Sequence, residues 1–138
     1  MAAFFSLKVF TPSRLFYSDT VEAIVLTLLD GDAAVYANHV PFTAPVVPCL
    51  LKIKDSKGNW KTAFTSEGIL EVNTRKTILC SNSAEWPEEI DYERAKAAKT
   101  EAENALEGGV LKFETDTASS ALLRAKMRMK AVEEIKKV

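Results

Sequence analysis

A change of composition at Pro87 restricts this chain more than any single motif. All five prolines, Pro12, Pro41, Pro45, Pro48 and Pro87, lie at or before it. Of the aromatic residues only Tyr92 and Phe113 lie beyond Trp86. After Pro87 the chain turns to Ala, Glu, Lys, Arg, Leu and Met, which are strong helix formers. The 138 residues therefore divide into a β-rich body, residues 1–86, and a helical body, residues 87–138. The segment from Ala84 to Ala95 is the joint between them. A β body of this size can bury a core of its own, though a modest one.

Within the first body, short apolar runs alternate with turn residues. Phe4 to Phe10 alternates and ends at Thr11-Pro12-Ser13. Leu15-Phe16-Tyr17 and Val21 to Leu28 read as two further strands, and Asp30-Gly31-Asp32 turns the chain into Ala33 to Tyr36. Asn38-His39-Val40-Pro41 is a polar break. Leu50 to Lys54 and Trp60 to Thr65 flank the hairpin turn Asp55-Ser56-Lys57-Gly58-Asn59. Ile69 to Val72 and Thr77 to Ser81 complete the series. Short strands with closely spaced turns predict an antiparallel sandwich or barrel. No βαβ rhythm and no glycine-rich phosphate loop is present, which argues against a nucleotide-binding α/β fold.

The second body predicts two helices. Asp91 is a suitable N-cap, and Glu93 suits the positive end of the helix that follows. This helix runs to about Glu107, where Gly108-Gly109 stops it. Its apolar stripe is Ala95, Ala98, Ala102, Ala105 and Leu106, within about an 80° arc. Alanine buries little area, so its contact with a partner helix is weak and reversible. A second cap is expected at Thr115-Asp116-Thr117. The helix after it places Ala118, Ala121, Leu122, Ala125, Met129 and Val132 within about a 100° arc. The short connection makes the pair an antiparallel hairpin. Charge divides between the two, with residues 91–107 carrying five acids and three bases and residues 117–138 six bases and two acids. Arg124 and Arg128 share one side of the second helix, bordering the apolar stripe, and Lys126 and Lys130 lie on the far side. This surface is either a solvated helix face or a basic arm that meets an acidic partner.

The residues offer little catalytic chemistry. His39 is the only histidine, and with no second His and no Cys beside it, it cannot form half of a metal site. Cys49 and Cys80 sit in apolar runs and read as buried free thiols of a reducing compartment; a disulfide between them is open but not required. Ser66-Glu67-Gly68 lacks the flanking glycine pattern of a nucleophile elbow. Glu88-Glu89 and Glu133-Glu134 are sequence neighbours and do not face each other for acid/base work. A net charge of −1 argues against general nucleic-acid binding. Met1 to Phe10 has no basic n-region, so no secretory signal is expected, and no apolar run reaches the length of a membrane span. On the residues alone the chain is a non-enzymatic β-sandwich with a helical hairpin, a binding or regulatory subunit.

Several stretches, in order, resemble the epsilon subunits of bacterial F-type ATP synthase. They are Leu7-Lys8-Val9-Phe10-Thr11-Pro12, the run from Gly31 to Pro41, Ser66-Glu67-Gly68-Ile69-Leu70-Glu71-Val72, the run from Glu89 to Ala97, and Arg124-Ala125 with Arg128. The resemblance implies a sandwich of about ten strands followed by two helices. It implies a non-catalytic rotor part of the central stalk, peripheral at the cytoplasmic face of the inner membrane, joining the gamma subunit to the ring of c subunits. It assigns Gly31, Asp32, His39, Pro41 and Phe42 to the c-ring and gamma contact. It further implies a hairpin that folds or extends. When extended, Arg124, Lys126, Arg128 and Lys130 contact an acidic segment of the β subunit, within reach of the α subunit, and inhibit ATP hydrolysis. No cofactor is required. In some members ATP is a regulatory ligand, and the matching residues here are Glu85, Ile90, Asp91, Arg94, Ala95, Arg124 and Arg128.

The chain departs from the family pattern at three points. Glu101 stands where ATP-binding members place an arginine, within about 20° of Arg94 on the helix, where it pairs with Arg94 or repels phosphate. Ala37-Asn38 replaces Pro-Gly, a change that Asn38 can carry by taking the left-handed conformation. Glu67 replaces a glycine. The alternative from another class is a free-standing ligand-binding sandwich with a helical dimerisation hairpin.

Overall fold

The computed structural model describes residues 3–108 and 112–136, with side chains for 3–108 and 117–135. It divides into two units, Met1–Glu85 and Trp86–Val138.

The first unit holds nine strands among the described residues: β1 (Phe5–Phe10), β2 (Leu15–Leu28), β3 (Gly31–Tyr36), β4 (Phe42–Val46), β5 (Cys49–Asp55), β6 (Trp60–Thr65), β7 (Gly68–Val72), β8 (Lys76–Ser81) and β9 (Ala84–Glu85). The fourteen-residue β2 organises them. Its first part pairs with β1, from Leu15↔Phe10 to Val21↔Phe5. Its second part pairs with β3 on one side and β5 on the other. At its end Leu28 meets Val46 of β4. β1, β8, β7, β4 and β2 thus close a circuit, and β3, β5, β6 and β9 extend from the second part of β2. A register shift between Val21 and Ala23 lets β2 turn from one layer to the other.

The alternation seen in the sequence is the alternation of the core. Leu7, Val9, Val21, Ile24, Leu26, Val35, Leu51, Ile53, Phe64, Leu70, Val72 and Leu79 are all buried. This unit differs from the sequence expectation at two points. Ser18-Asp19-Thr20 does not separate two strands, because Lys8, Leu7 and Ser6 pair across it and carry the ladder through. The sandwich is also not wholly antiparallel, since β1 and β8 run parallel. Strand β4, which the prolines concealed, is real. Pro45 lacks a donor but sits where its carbonyl accepts from Leu29 N at 3.1 Å.

Three local devices fix the loops. Asp55 Oδ1 accepts from the backbone N–H of Lys57 and of Asn59, both at 2.9 Å, which makes the β5–β6 hairpin turn. Those donors, that of Asn59 foremost, hold the Asp55 carboxyl below its ordinary value. Asn38 takes the left-handed conformation (φ 64) expected of a glycine substitute, and its N–H bonds to Thr74 O at 2.9 Å. A buried hydroxyl cluster closes the far end. Ser83 N donates to Ser66 Oγ at 2.7 Å, Ser81 Oγ to Ser83 O at 2.8 Å, and Asn82 N to Glu67 O at 3.0 Å. The cluster ties the β6–β7 connection to the β8–β9 connection, immediately before the joint.

The second unit begins with a short 3-10 turn, Pro87–Glu89, whose Glu89 carboxylate reaches back to Trp86 N at 2.9 Å. Helix α1 runs Tyr92–Gly108 and α2 Lys112–Lys136. Asp91 caps α1 as expected, its Oδ1 accepting from Arg94 N at 3.1 Å. Helix α2 begins before the predicted Thr115–Thr117 cap. Lys112-Phe113-Glu114 carries no breaker, so nothing delays the helix to the first cap-like residue. Gly109, half of the expected helix stop, lies outside the described residues, and Gly108 is the last residue of α1. Ala95 and Ala102 of α1 are buried, as are Ala118, Ala125, Ala131 and Val132 of α2. The predicted seam is only partly closed, because Ala98 and Ala105 are exposed.

Candidate functional site

Directly paired residues on neighbouring strands point to the same side of a sheet. Following one such line across the first unit gives Leu15 of β2, Phe10 of β1, Cys80 of β8, Ile69 of β7 and Pro45 of β4. All five are exposed, at 51% for Leu15, 37% for Phe10 and 49% for Ile69. They form a continuous apolar row over five strands. The parallel line beside it, Ser18, Lys8, Ile78, Glu71 and Thr43, is mostly polar. An apolar row edged by charge is the anatomy of a protein-docking surface. Gly68, next to Ile69, permits the close approach of β7 to β8. A Cβ there would lie 2.0 Å from the Cys80 carbonyl oxygen, so only glycine lets β7 and β8 approach this closely.

Cys80 corrects the expectation of two buried thiols. Its strand position faces outward, and only Cys49 is buried. Burial pushes the Cys49 thiol above its ordinary value, against the backbone N–H of Thr27, which donates to Sγ at 3.4 Å.

The residues assigned to stalk contacts lie at the two ends of the edge strand β3, which pairs with β2 alone among the described strands, and Phe42 is already the first residue of β4. Gly31, at φ +135, and Asp32 open the strand. Asp32 Oδ1 accepts from Thr27 Oγ1 at 2.6 Å, which fixes the carboxylate across the β2–β3 pair. His39, Pro41 and Phe42 follow the other end of β3, about 20 Å away at the usual strand rise. The His39 and Phe42 rings are 5.0 Å apart and tilted by 59°, and His39 Nδ1 lies 2.7 Å from Val40 O. The set therefore brackets one sheet edge and is not a single cluster. Two apolar tips mark the same edge, Leu29 at 72% and Val40 at 75% exposure.

In the second unit the cap gathers Ile90, Asp91, Arg94 and Ala95 into one turn. Asp91 is engaged in capping, Ala95 is buried in the helix pair, and Arg94 points to solvent. Glu85 belongs to the first unit, in β9 opposite Phe64. Arg124 and Arg128 lie one turn apart and half-buried on α2, and Lys126 and Lys130 are exposed, as the helical angles required. An open groove of about 400 Å³ runs between the helices. It is lined by Ala98, Glu101, Ala102 and Ala105 of α1 and by Thr117, Ala118 and Ala121 of α2. None of the seven residues matched to a nucleotide site lines it. At the other end of the pair Tyr92 Oη donates to Glu133 Oε1 at 3.1 Å. This bond is the first cause raising the Tyr92 phenol above its ordinary value.

Among the described residues no group of three or more His, Cys, Asp and Glu is placed to hold a metal ion, and no helix is long and apolar enough to cross a membrane. Sequence reasoning missed the apolar row. Each member is visible as an outward position of its strand, but the line across strands exists only once the registers are known.

Comparison with known proteins places both units. The family profile described as ATP synthase, Delta/Epsilon chain, beta-sandwich domain matches residues 4–87, and ATP synthase, Delta/Epsilon chain, long alpha-helix domain matches residues 88–133. The ATP synthase epsilon chain of Caldicellulosiruptor saccharolyticus is 42% identical over 130 residues, 94% of each chain. That of Caldanaerobacter subterraneus subsp. tengcongensis is 44% identical over 127 residues, 91% of each. Among solved structures, a chain of the Euglena gracilis mitochondrial ATP synthase (OSCP/F1/c-ring) superposes with a TM-score of 0.71 at 20% identity, covering 98% of this chain and 81% of the other. A chain of the Tetrahymena thermophila mitochondrial ATP synthase (central stalk/c-ring) gives 0.64 at 14% identity, covering 93% and 96%. These two likenesses bear on the fold.

Proposed function

The chain belongs to the family of ATP synthase epsilon chains, non-catalytic subunits of the central stalk, and from that premise we propose that its two units divide a mechanical role from a regulatory one. The sandwich joins the gamma subunit to the ring of c subunits, so that ion-driven rotation of the ring reaches the catalytic head. The hairpin inhibits ATP hydrolysis by moving from a folded to an extended state. Membership over both units removes the free-standing ligand-binding alternative.

The observation that carries the mechanical role is the apolar row Leu15, Phe10, Cys80, Ile69 and Pro45. A stalk subunit transmits torque only if it is held on a rigid surface, and this row lies on paired strands whose own core is closed. The row is the gamma-docking face. The β3 edge, with Gly31, Asp32, His39, Pro41 and Phe42 and the tips Leu29 and Val40, faces the c-ring at the cytoplasmic side of the membrane. Leu29 and Val40 supply apolar contact there, and Asp32 supplies a fixed carboxylate.

The regulatory role is supported by how little holds the helices together. Their seam is mostly alanine, and part of it is open along the groove. Extended, α2 presents Arg124, Lys126, Arg128 and Lys130 to an acidic segment of the β subunit. Regulatory ATP would bind at Glu85, Ile90, Asp91, Arg94, Ala95, Arg124 and Arg128, against two features of the site. Asp91 is spent on the cap, and Glu101 sets a carboxylate on the Arg94 face. Deleting residues 89–138 should raise ATP hydrolysis by the assembled enzyme while the sandwich still binds gamma. Unchanged hydrolysis defeats the brake, and loss of gamma binding defeats the division of roles. Calorimetry with ATP on the isolated chain decides the nucleotide site, which no heat at millimolar ATP would remove.

A further inference from the structure

The two helices are held unequally along their length. Towards the α1 C-terminus the seam is partly open, with Ala102 and Ala118 buried but Ala98 and Ala105 exposed beside the groove. Towards the α1 N-terminus it is closed, with Ala95 buried on α1 and Ala125, Ala131 and Val132 buried on α2. At that closed end stands a directed side-chain bond between the helices, from Tyr92 Oη to Glu133 Oε1 at 3.1 Å. Tyr92 is the first residue of α1, and Glu133 lies in the last turn of α2.

We infer that Tyr92 and Glu133 form a clasp that keeps the hairpin closed and sets how often it opens. The inference deepens the folded-and-extended reading above and rests on it for its functional consequence. Alanine contacts are non-directional and small, so a pair of helices joined by them alone can slide or part at low cost. A phenol donating to a carboxylate fixes one register and one distance. The bond is charge-assisted, which makes it stronger than a neutral pair. Its position matters as much as its strength. The short connection between Gly108 and Lys112 tethers the helices at the α1 C-terminal end, so they part from the opposite end, where the clasp stands and must break in any opening.

The test is amide hydrogen exchange on the full chain, read peptide by peptide. Tyr92→Phe keeps the ring and removes the donor. Glu133→Gln keeps an accepting Oε1, and Glu133→Ala removes it. Tyr92→Phe and Glu133→Ala should each speed exchange of α1 and α2 peptides about three- to tenfold, the range of one net hydrogen bond. Glu133→Gln, which keeps the acceptor but not its charge, should fall between wild type and Glu133→Ala. Sandwich peptides should not change, which shows that the variants are folded. Exchange in Tyr92→Phe equal to wild type overturns the clasp, whatever the enzyme does. So does faster exchange in Glu133→Gln that matches Glu133→Ala. Faster exchange with no added inhibition of hydrolysis in the assembled enzyme upholds the clasp and overturns the braking reading instead.

Discussion

Replacing Ile69 with aspartate should uncouple the sandwich from gamma without unfolding it. Ile69 sits within the apolar row, between Cys80 and Pro45, and 49% of it is exposed. Covering that half of an isoleucine in an interface is worth about 1 kcal/mol, half the value of full burial. The aspartate also sets a carboxylate against an apolar partner surface, which costs about 2 kcal/mol or more unless a cation meets it. Together these reach about 3 kcal/mol, or a weakening of about a hundredfold in Kd. The fold should tolerate the change. The side chain points outward, and the loss of strand propensity is at most about 1 kcal/mol, a fall of less than about 8 °C in Tm. Titration calorimetry of the variant against gamma, with a thermal melt of the same preparation, reads both quantities. Trp60→Asp is the control, since Trp60 is equally exposed at 53% but lies opposite Lys54 on β6, off the row. Wild-type affinity in Ile69→Asp refutes the docking face, and equal weakening in Trp60→Asp shows a general effect of charge.

Gly68→Ala should be severe for the opposite reason, because its Cβ would meet the Cys80 carbonyl oxygen at 2.0 Å and must push β7 from β8; a loss of about 3 kcal/mol and a Tm drop of more than about 10 °C are expected in a thermal melt. Maleimide should label Cys80 much faster than Cys49, whose thiol is buried and pushed above its ordinary value, and binding of gamma should protect Cys80; labelling of Cys80 at the same rate with gamma bound contradicts the row. Burial, then Asp19 and Asp55, raise the Tyr17 phenol. The folded state thus favours the neutral form, so this stabilisation is complete below about pH 10 and is lost as pH rises through the raised value. Melts between pH 8 and 11 should therefore show a steeper alkaline fall for wild type than for Tyr17→Phe.

The parts of this protein that could be read from its sequence are those whose geometry is local. The β5–β6 hairpin follows from Asp55, whose carboxylate collects the turn's own N–H groups. Asn38 could stand for glycine because its conformation depends on its own φ. The basic arm belongs here too. A helix fixes its angular order at about 100° per residue, so the split between half-buried Arg124 and Arg128 and exposed Lys126 and Lys130 needed no knowledge of a partner. A sheet carries that information in its neighbours. Cys80 sits in an apolar run and reads as core, yet its place opposite Phe10 and Ile69 turns it outward. Ser18-Asp19-Thr20 reads as a break, yet β1 pairs across it. Pro41, Pro45 and Pro48 hide β4, because a proline's tolerance in a strand depends on which side is paired. The apolar row is the extreme case, one residue from each of five strands with no two adjacent in sequence. For a rotor subunit that difference has a mechanical sense. Under the proposed function the arm keeps its recognition face in both the folded and the extended state, and only a helix carries its face with it. The docking face need exist only while the sandwich is closed, so a surface written across registers also reports that the sandwich is whole.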